Sequence, residues 1–375
     1  MEFCDISLLI IAGGKSLRMG QDKRWLSIDG MGMLERLCVK ASRVDFAERF
    51  LCVDAVTEPM QDLAERYGFH ILTDAQPGEG PMSGLSQGLA AAKTEYALAV
   101  AGDMPFFTFP PMRSLLEAAE RHPEWEVVMP AAGGRHQPLA ALYRKSFAVR
   151  AWEALQQGER RPRLVMARVP HGLVNFPDDV PFFNVNTPAD FRIACGRMAN
   201  LLRDLPVITV SAPVSNTGKT TFIERLIPML ATYGIRAGVV KGDCHGYDVD
   251  EQGKDSWRFR EAGAEAVAVV SPNGYFLQQR TDYRAGLLSV AGLMRDVDLV
   301  FIESRAHGVM PVLQLWRGMG DAVLMEDTAA VFASPLSREW TEGKQVHAYP
   351  LADYDKAVQL ILFLTGLEKR AQAQR

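Results

Sequence analysis

Two segments of this chain place glycines and basic residues directly after a short apolar stretch. In the first segment, residues 8–12 are apolar, Gly13 and Gly14 follow, and Arg18 and Lys23 come soon afterwards. Glycine lets the backbone approach a phosphate closely, and cationic side chains neutralise its charge. This predicts a nucleotide site in which Arg18 and Lys23 face the triphosphate and the charge that builds on departing pyrophosphate. A tight strand-to-helix turn with surface charges is the alternative, and the two basic residues argue against it.

The second segment has the core of a P-loop, a phosphate-binding turn. Residues 207–211 are mainly apolar, and Asn-Thr-Gly-Lys-Thr-Thr follows at 216–221. In such a loop, backbone N–H groups surround the phosphates, the lysine reaches the β- and γ-oxygens, and the hydroxyl after it binds Mg²⁺. Pro213 replaces the first glycine of the full pattern, and Asn216, which tolerates a positive φ, stands where a second glycine is common. A helix start with incidental threonines is the alternative.

Acidic residues come at the ends of apolar stretches, where a parallel sheet would bring them together. Asp74 follows residues 70–73, Asp103 follows 96–101, and Glu303 ends a later apolar stretch. An acidic group at the carboxyl end of a strand is a usual place to hold Mg²⁺ that bridges phosphates. For Asp74 and Asp103 the alternative is a helix cap or a turn.

Gly80 and Gly84 lie where a helix is predicted to start. Glycines at such a place admit a base ring against the backbone. A plain loop is the competing interpretation.

Strand-like and helix-like segments alternate in the first half of the chain. Such alternation predicts a mainly parallel sheet with helices on both faces, and ligands of such sheets bind beyond the carboxyl ends of the strands. The first glycine segment, Asp74 and Asp103 all fall there. The predicted strands are 8–12, 50–53, 70–73, 96–101, 126–129 and 139–143, and the predicted helices are 33–42, 60–67, 83–92, 112–121, 147–156 and 188–202.

The alternation restarts after residues 203–206, which have the character of a short linker. The domain boundary is therefore predicted near Asp204, with domains at 1–203 and 204–375. The polar tail beyond Glu368 is expected to fray. In the second domain the predicted strands are 207–211, 237–240, 266–270, 299–303 and 322–325, and the predicted helices are 219–233 and an amphipathic one at 354–364.

The overall composition narrows the class of protein. The chain has 375 residues, of which 48% are hydrophobic and 23% charged, an ordinary globular balance. Its net charge of −4, with dispersed basic residues, gives no support to nucleic-acid binding. The five cysteines include no CxxC pair, which argues against a disulfide scaffold. Since neither a signal peptide nor an apolar run of membrane length is seen, a soluble, cytoplasmic protein is expected.

A resemblance to a known family rests on residues 11–23, which read Ile-Ala-Gly-Gly-Lys-Ser-Leu-Arg-Met-Gly-Gln-Asp-Lys. This string resembles the signature of the MobA-type molybdenum cofactor guanylyltransferases. Further motifs of that family match in the same order at 80–84, 102–105 and 183–188, so that the resemblance spans about residues 5–200. It implies a Rossmann-like nucleotidyltransferase domain. Such an enzyme transfers GMP from Mg-GTP to the terminal phosphate of molybdopterin and releases pyrophosphate.

Carried onto this chain, the family's functional residues form groups with separate roles. Asp103 would bind Mg²⁺ and would act in catalysis with Arg18 and Lys23. Because the pterin phosphate is itself the nucleophile, alignment and charge neutralisation suffice and no strong base is needed. Arg161, Asn184 and Asn186 would face the pterin substrate or the second phosphate. The residues that would contact GTP are Ile11, Ala12, Gly13, Lys23, Asp54, Asp74, Gly80, Gly84 and Asp103, with Gly80 and Gly84 shaping the guanine pocket.

Two other transferase activities are alternatives for the first domain. One is the cytidylyltransferase activity of the same pathway, and the other is nucleotidyl transfer to sugar phosphates. Those families usually have Ala-Ala-Gly where this chain has Ala12-Gly13-Gly14. The difference favours guanine.

The second half of the chain resembles the MobB-type GTP-binding adaptor of the same pathway. The resemblance rests on residues 220–227 and 239–256 and weakens after about residue 262. Relatives carry Glu-Gly-Phe/Tyr-Lys after the later strand, whereas here Glu303 is followed by Ser-Arg-Ala, so the rate of hydrolysis and the nucleotide preference stay open. Cys244 and His245 alone do not make a metal site. The second nucleotide site would comprise Asn216, Gly218, Lys219, Thr220, Thr221 and Glu303, with Mg²⁺ on Thr220.

These observations predict a natural fusion of α/β class, with two domains that each contain a mainly parallel sheet flanked by helices. The second would be a P-loop NTPase domain, with a non-catalytic, GTP-dependent docking module as the alternative. Fusion raises the effective concentration of the two modules. The expected partners are GTP, the molybdopterin cofactor, molybdoenzyme apoproteins or chaperones and a second copy through the second domain, with no nucleic acid and no membrane.

Overall fold

The computed structural model describes residues 1–13, 22–74, 80–242, 250–305, 309–319, 321–336, 340 and 345–373. The chain forms two compact units, Met1–Met198 and Ala199–Arg375. Each unit has a mainly parallel sheet with helices packed against it, so the predicted α/β fold class is confirmed. The predicted domain boundary near Asp204 stays a prediction.

The first unit is built on an eight-stranded sheet. The strands described in this unit are β1 (Ser7–Ile11), β2 (Ser27–Ile28), β3 (Met31–Gly32), β4 (Glu48–Val53), β5 (His70–Thr73), β6 (Tyr96–Ala101), β7 (Val127–Ala132), β8 (Arg135–His136), β9 (Leu142–Arg144) and β10 (His171–Phe176). The sheet has the order β10-β7-β9-β6-β1-β4-β5, with β8 paired to β7, and β2 and β3 form a separate ribbon. Strands β6, β1, β4 and β5 run parallel, so their carboxyl ends lie at one edge.

Helices cover both faces of this sheet. The helices that begin in this unit are α1 (Met33–Ala41), α2 (Glu58–Tyr67), α3 (Pro81–Ala91), α4 (Arg113–Arg121), α5 (Phe147–Gln156), α6 (Pro162–Met166) and α7 (Pro188–Leu201). Strand β1 is buried along its whole length. Leu8 and Ile10 pack into the core that contains residues of α1, α2 and α4, whereas Leu9 and Ile11 pack into the core that contains residues of α3 and α5. Burial of each such side chain contributes about 1.5–3 kcal/mol.

Helix α3 approaches the sheet closely because two of its residues have no side chain. A Cβ on Gly84 would lie 3.1 Å from the Cβ of Cys52, and a Cβ on Gly88 would lie 2.8 Å from Cδ1 of Leu9. Any larger residue at Gly88 would require a shift of the buried Leu9 side chain or of the helix itself. The helix therefore lies directly against the strands whose ends carry the candidate site.

The second unit has a six-stranded sheet in which all neighbouring strands are parallel. Its strands are β11 (Val207–Ala212), β12 (Ala237–Lys241), β15 (Leu299–Arg305), β16 (Val312–Trp316), β17 (Thr328–Ala333) and β18 (His347–Pro350), in the order β12-β15-β11-β16-β17-β18. The described helices are α8 (Lys219–Ala231), α9 (Asp255–Glu261), α10 (Leu287–Ala291), α11 (Tyr354–Thr365) and α12 (Glu368–Ala373).

The predicted strand at 266–270 is extended but does not join this sheet. It forms β13 (Ala266–Ser271), which pairs with β14 (Gly274–Gln279) in a separate antiparallel ribbon. The ribbon exposes large apolar side chains, among them Val270, which is 80% exposed, and Tyr275, which is 67% exposed.

The start of the second unit is fixed by the buried side chain of Asn200. Its amide donates to the carbonyl oxygens of Val207 (2.9 Å) and Leu364 (3.1 Å), and its carbonyl accepts from the backbone N–H of Val207 (3.0 Å). Arg203 donates to the side-chain oxygen of Asn200 and to the carbonyl of Met310. Residues 203–206 are therefore held on the second unit by these contacts, and their assignment as a short linker stays a prediction.

Two predictions in the second unit are wrong for physical reasons. The segment 322–325 is not a strand, because the side chain of Gln314 takes the place of a neighbouring strand. It donates to the carbonyl of Val323 (2.7 Å) and accepts from the N–H of Met325 (2.8 Å). The tail after Glu368 does not fray as far as Ala373, because it forms α12, whose Ala371 is buried.

Candidate functional site

The first candidate site lies where the carboxyl ends of β1, β4, β5 and β6 meet. Ile11 is in register with Cys52 on one side and Ala101 on the other. Beyond the strand, the N–H of Ala12 donates to the carbonyl of Cys52 (2.8 Å), and the N–H of Gly102 donates to the carbonyl of Ile11 (2.9 Å). The backbone of residues 11–13 is thus held at the centre of the edge.

Gly13 lies close to two of the predicted acidic residues, Asp54 and Asp74. A Cβ on Gly13 would lie 3.4 Å from the backbone nitrogen of Asp54 and 3.4 Å from Oδ2 of Asp74. Asp54 follows β4, and Asp74 follows β5 and is held by its N–H bond to the carbonyl of Val53 (2.9 Å). The backbone at Gly13 therefore faces two strand-end aspartates.

Lys23 and Asp103 form an ion pair at the same edge, with 2.5 Å between Nζ and Oδ2. The ammonium group of Lys23 also donates to the side-chain oxygen of Asn186 (3.2 Å). The N–H of Val185 donates to the carbonyl of Asp103 (3.0 Å), which ties the segment around Asn186 to the loop after β6. Asp103 and Asn186, which are far apart in the sequence, thus both contact the ammonium group of Lys23.

The second carboxylate oxygen of Asp103 is available to a ligand. Oδ1 is buried and has no hydrogen-bond partner among the residues that the structure describes. A buried carboxylate oxygen costs free energy unless it is paired or binds a metal. Carboxylate oxygens are the ligands that Mg²⁺ prefers, so the environment of Asp103 fits this ion.

Lys40, which the sequence did not reveal, holds the loop that follows Asp103. Its ammonium group donates to the carbonyls of Pro105 and Phe107, both at 2.9 Å. Burial, together with the nearby charge of Arg36, lowers the pKa of Lys40 to about 8. A lysine is rarely buried in this way without partners, and here the two carbonyls supply them.

The remaining predicted residues of the first unit lie in different surroundings. Gly80 has a φ of +74° at the start of α3, with nothing within 4 Å of a Cβ added there, whereas Gly84 faces the sheet. Asn184 donates to the carbonyl of Phe182 (2.8 Å). Arg161 is exposed at the start of α6 and forms two hydrogen bonds with Glu159, whose pKa these bonds lower to about 2. Arg18 lies outside the described residues.

Arg24 is a further residue of this region that sequence reasoning missed. Its guanidinium group contacts Asp22, Asp54 and the carbonyl of Ala12. Burial alone would raise the pKa of Asp22, but the hydrogen bonds from Arg24 outweigh this effect and lower it. The signal in the sequence is weak, because a lysine–arginine pair after a glycine-rich segment reads equally well as surface charge.

The second candidate site lies at the carboxyl end of β11, where the chain turns into α8. Asn216 and Gly218 adopt positive φ values of +59° and +85°, which a tight phosphate-binding turn requires and which these two residue types tolerate. Lys219 and Thr220 then begin α8, and Thr221 follows. The replacement of glycine by asparagine at 216 is therefore compatible with the turn.

Thr220 lies beside Glu303 at the end of β15. The hydroxyl oxygen of Thr220 is 3.0 Å from each carboxylate oxygen of Glu303. A hydroxyl and a carboxylate in contact are oxygen ligands that suit Mg²⁺, so this pair fits the ion. No group of three or more His, Cys, Asp or Glu side chains is placed to hold a metal within the described ranges, so phosphate oxygens would have to complete either coordination shell.

Cations surround this second site. Burial lowers the pKa of Lys219, and the positive charges of Arg305 and Lys241 lower it further. The negative charge of Glu303 raises it, but the net effect is a lowered pKa. Arg317, which the sequence analysis did not single out, lies over the turn, since a Cβ on Gly218 would be 2.9 Å from its Nη2. Cys244 and His245 lie outside the described residues. No described helix is long and apolar enough to cross a membrane.

The two sheets and their strand-end sites define the class of the chain as nucleotide-binding α/β proteins. Family models support this assignment in detail. The model of the MobA-like NTP transferase domain matches residues 8–172, and the model of molybdopterin guanine dinucleotide synthesis protein B (MobB) matches residues 207–334.

Similar proteins identify the family. A probable molybdenum cofactor guanylyltransferase from Pelotomaculum thermopropionicum is 32% identical over 192 residues, which cover 48% of this chain and 88% of the relative. The molybdopterin-guanine dinucleotide biosynthesis adapter protein of Escherichia coli is 36% identical over 117 residues, covering 30% of this chain and 66% of the relative. A solved structure, molybdopterin-guanine dinucleotide biosynthesis protein A from Archaeoglobus fulgidus, has 22% identity and a TM-score of 0.43 and covers 50% of this chain and 96% of its own. The chain belongs to the family of molybdenum cofactor guanylyltransferases, which are nucleotidyltransferases, and it also carries a MobB domain.

Proposed function

We propose that the first unit transfers GMP from Mg-GTP to the terminal phosphate of molybdopterin, forming molybdopterin guanine dinucleotide and pyrophosphate. The observation that carries this proposal is the Lys23–Asp103 pair at the strand-end edge of a chain that belongs to the guanylyltransferase family. Asp103 keeps one buried oxygen for Mg²⁺, and Lys23 supplies a cation beside it. We assign the guanylyltransferase activity to residues 1–203 and the GTP-binding accessory role to residues 204–375.

In the proposed reaction, an oxygen of the pterin phosphate attacks the α-phosphorus of GTP. The new bond from this oxygen to phosphorus forms as the bond to the bridging oxygen of the β-phosphate breaks, and pyrophosphate leaves with the electron pair. Lys23 and Arg18 neutralise the charge that builds on the leaving group. Mg²⁺, bound through Asp103, would polarise the phosphate oxygens. Since the nucleophile is already an anion, alignment and charge neutralisation suffice, and no strong base is needed.

The other residues are assigned to the two substrates by the resemblance to the guanylyltransferase family. The proposed pterin side consists of Arg161, Asn184 and Asn186, of which Asn186 contacts Lys23 directly. The proposed GTP contacts are Ile11, Ala12, Gly13, Lys23, Asp54, Asp74, Gly80, Gly84 and Asp103. Among the glycines, Gly80 has open space in front of it and is the better candidate for direct contact with guanine.

Product analysis tests the reaction. The full chain is incubated with Mg²⁺, molybdopterin and each of GTP, CTP and ATP, and the products are separated and identified by mass. We expect guanine dinucleotide with GTP alone. Asp103→Ala should abolish it, and the exposed control Asp62→Ala should not. A cytosine dinucleotide would favour the cytidylyltransferase alternative, and no dinucleotide at all would overturn the assignment of the acceptor in favour of a sugar phosphate.

The second unit is proposed to bind GTP through its P-loop. The proposed contacts are Asn216, Gly218, Lys219, Thr220, Thr221 and Glu303, with Mg²⁺ on Thr220. The contact between Thr220 and Glu303 and the positive φ values of the turn support this proposal. Arg317, whose guanidinium group lies over Gly218, also lines an open cavity of about 400 Å³ together with Pro335 and Tyr354 among other residues.

Substitution of Lys219 separates the two sites. In Lys219→Ala we expect GTP binding by the second unit to fall while formation of the dinucleotide from free molybdopterin is unchanged. Asp103→Ala should show the reverse. If Lys219→Ala abolished the transfer chemistry itself, the two sites would not be independent. If the second unit of the unsubstituted chain binds GTP but does not hydrolyse it, the docking-module alternative is favoured.

We propose that the protein delivers its product to molybdoenzyme apoproteins or their chaperones in the cytoplasm and that it forms a homodimer through the second unit. The name of the E. coli relative, an adapter protein, supports protein partners. An isolated two-stranded ribbon is marginally stable in water, so the exposed apolar residues of β13 and β14 favour pairing with a second copy. Light scattering should show a dimer, and Val270→Lys should shift it to a monomer. A monomeric wild-type chain would refute the dimer.

A further inference from the structure

Arg24 ties together three parts of the first site. Its Nη1 atom donates to Oδ1 of Asp54 (2.9 Å) and to the carbonyl of Ala12 (3.1 Å). Its Nε and Nη2 atoms hold both carboxylate oxygens of Asp22 at 2.7–2.9 Å. The side chain is only 14% exposed. Such bidentate, charge-assisted contacts are the strong hydrogen bonds of proteins, and a rigid guanidinium group is needed to make them.

These contacts fix the backbone on both sides of Lys23. Asp22 caps the short 3-10 helix Lys23–Trp25 by accepting from the N–H of Arg24. The helix in turn is anchored by Arg24 to the end of β1 at Ala12 and to the residue after β4 at Asp54. Lys23 itself has a long flexible side chain that loses considerable entropy when it is fixed beside Asp103. Because its backbone is held in place, the Lys23 side chain has fewer positions available and loses less entropy when it is fixed beside Asp103.

We propose that Arg24 is a positioning residue that holds Lys23 beside Asp103, and that Asp54 serves the site through Arg24. This inference rests on the proposed function, because Lys23 is taken as the cation that neutralises the leaving group. It gives Asp54 a role in the support of Lys23 in addition to its proposed contact with GTP. Neither Arg24 nor its contact with Asp54 follows from the motif, which ends at Lys23.

Removal of Arg24 has a second effect through charge. Arg24 is shared between Asp22 and Asp54, so a neutral residue at 24 leaves two carboxylates without their cation. Asp22 adjoins Lys23 in the chain, and the freed carboxylate would compete with Asp103 for the ammonium group. Lys23 would then spend part of its time away from Asp103. Arg24→Leu should therefore lower kcat more than it raises the KM for GTP.

A double-mutant cycle distinguishes positioning from general support of the fold. Guanylyl transfer by the full chain is measured for Arg24→Leu, Lys23→Ala and the double variant. We expect Arg24→Leu to lower kcat by about tenfold or more in the presence of Lys23 and less than about twofold in the Lys23→Ala background. Equal losses in both backgrounds would overturn the proposal. The exposed Arg66, which pairs with Glu35 in the same unit, provides the control Arg66→Leu, and we expect it to retain activity.

A measurement that does not depend on catalysis completes the test. Labelling of lysine amines in the free protein, followed by mass spectrometry, should show that Lys23 reacts several-fold faster in Arg24→Leu than in the wild type or in Arg66→Leu. If Arg24→Leu does not fold, Asp54→Asn and Arg24→Lys replace it, with a smaller loss expected in each. Unchanged labelling of Lys23 in the folded variants would refute the positioning role. A wild-type chain that makes no dinucleotide would instead refute the proposed function.

Discussion

Replacement of Asn200 tests how the second unit is held together at its first residues. Asn200 is 2% exposed, and its side chain makes three hydrogen bonds to the backbone at Val207 and Leu364. In Asn200→Ala these backbone groups lose their hydrogen-bond partner. We therefore expect the local stability of β11 to fall while the first unit is unaffected.

The magnitude follows from the groups that are left without partners. A buried polar group without a hydrogen bond costs about 1–3 kcal/mol, and the net loss of an ordinary hydrogen bond costs about 0.5–1.5 kcal/mol. One N–H left unsatisfied and two weakened carbonyls give a total of about 2–6 kcal/mol. Since about 1.4 kcal/mol is a factor of ten, amide exchange in β11 should accelerate by roughly one and a half to four powers of ten.

Hydrogen exchange read by mass spectrometry is the appropriate assay, because a chain with two compact units need not unfold in one step. Peptides that cover β11 report on the second unit, and peptides that cover β1 report on the first. Gln252 is exposed, so Gln252→Ala serves as the control and should change the exchange rate of neither β11 nor β1. The reasoning is refuted if exchange in β11 changes by less than about fivefold, equivalent to about 1 kcal/mol, or if β1 loses protection equally.

Three other perturbations have expected outcomes. Gly88→Ala should destabilise the first unit by about 1–3 kcal/mol, because its Cβ would lie 2.8 Å from Leu9, and chemical denaturation would measure this loss. Lys40 should make stability rise with pH: its pKa is lowered to about 8, so above that pH the folded state has released a proton that the unfolded state keeps until about 10.5. Relative to Lys40→Met, the free energy of unfolding of the wild type should rise by about 2–3 kcal/mol between pH 8 and 10.5, because each pKa unit corresponds to about 1.4 kcal/mol. A fragment 204–375 should be less stable than a fragment 199–375, because it lacks Asn200, and thermal denaturation of the two would show the difference.

Each of these outcomes has a control and a contradicting result. Gly274, with nothing within 4 Å of an added Cβ, offers the matched variant Gly274→Ala, and equal effects at both glycines would argue against close packing of α3. A stability difference at Lys40 that is flat between pH 8 and 10.5 would show that its proton is not released on folding. For the fragments, equal melting temperatures would contradict the role of Asn200.

The elements that could be predicted from the sequence are those whose signal is local. The helix at 147–156 has the predicted bounds, because its apolar spacing lies within its own residues. β1 and β11 were found because each is a short apolar run that is followed in the sequence by a segment containing glycine. The residue types of that segment are a local signal as well, and they pointed to both candidate sites.

The features that were missed depend on partners far away in the chain. β16, β17 and β18 were not predicted: the apolar run of β16 is interrupted by Gln314, and β18 has only four residues. The contact of Lys23 with Asn186 joins residues 163 positions apart. α12 looked polar, and only its contacts in the folded unit, such as the ion pair of Arg370 with Asp298, show why it is ordered.

Gln314 limits how the second unit could be redesigned. It occupies the middle of a strand whose five residues are all buried, where a choice made from hydrophobicity alone would place leucine or valine. Leucine or valine at position 314 would pack well in the core. Either residue would, however, remove the hydrogen bonds that the side chain of Gln314 forms with the carbonyl of Val323 and the N–H of Met325 and that hold the segment 323–325. The residue at 314 and the path of that segment can therefore only be changed together, so a single substitution at 314 is a poor starting point for stabilising this unit.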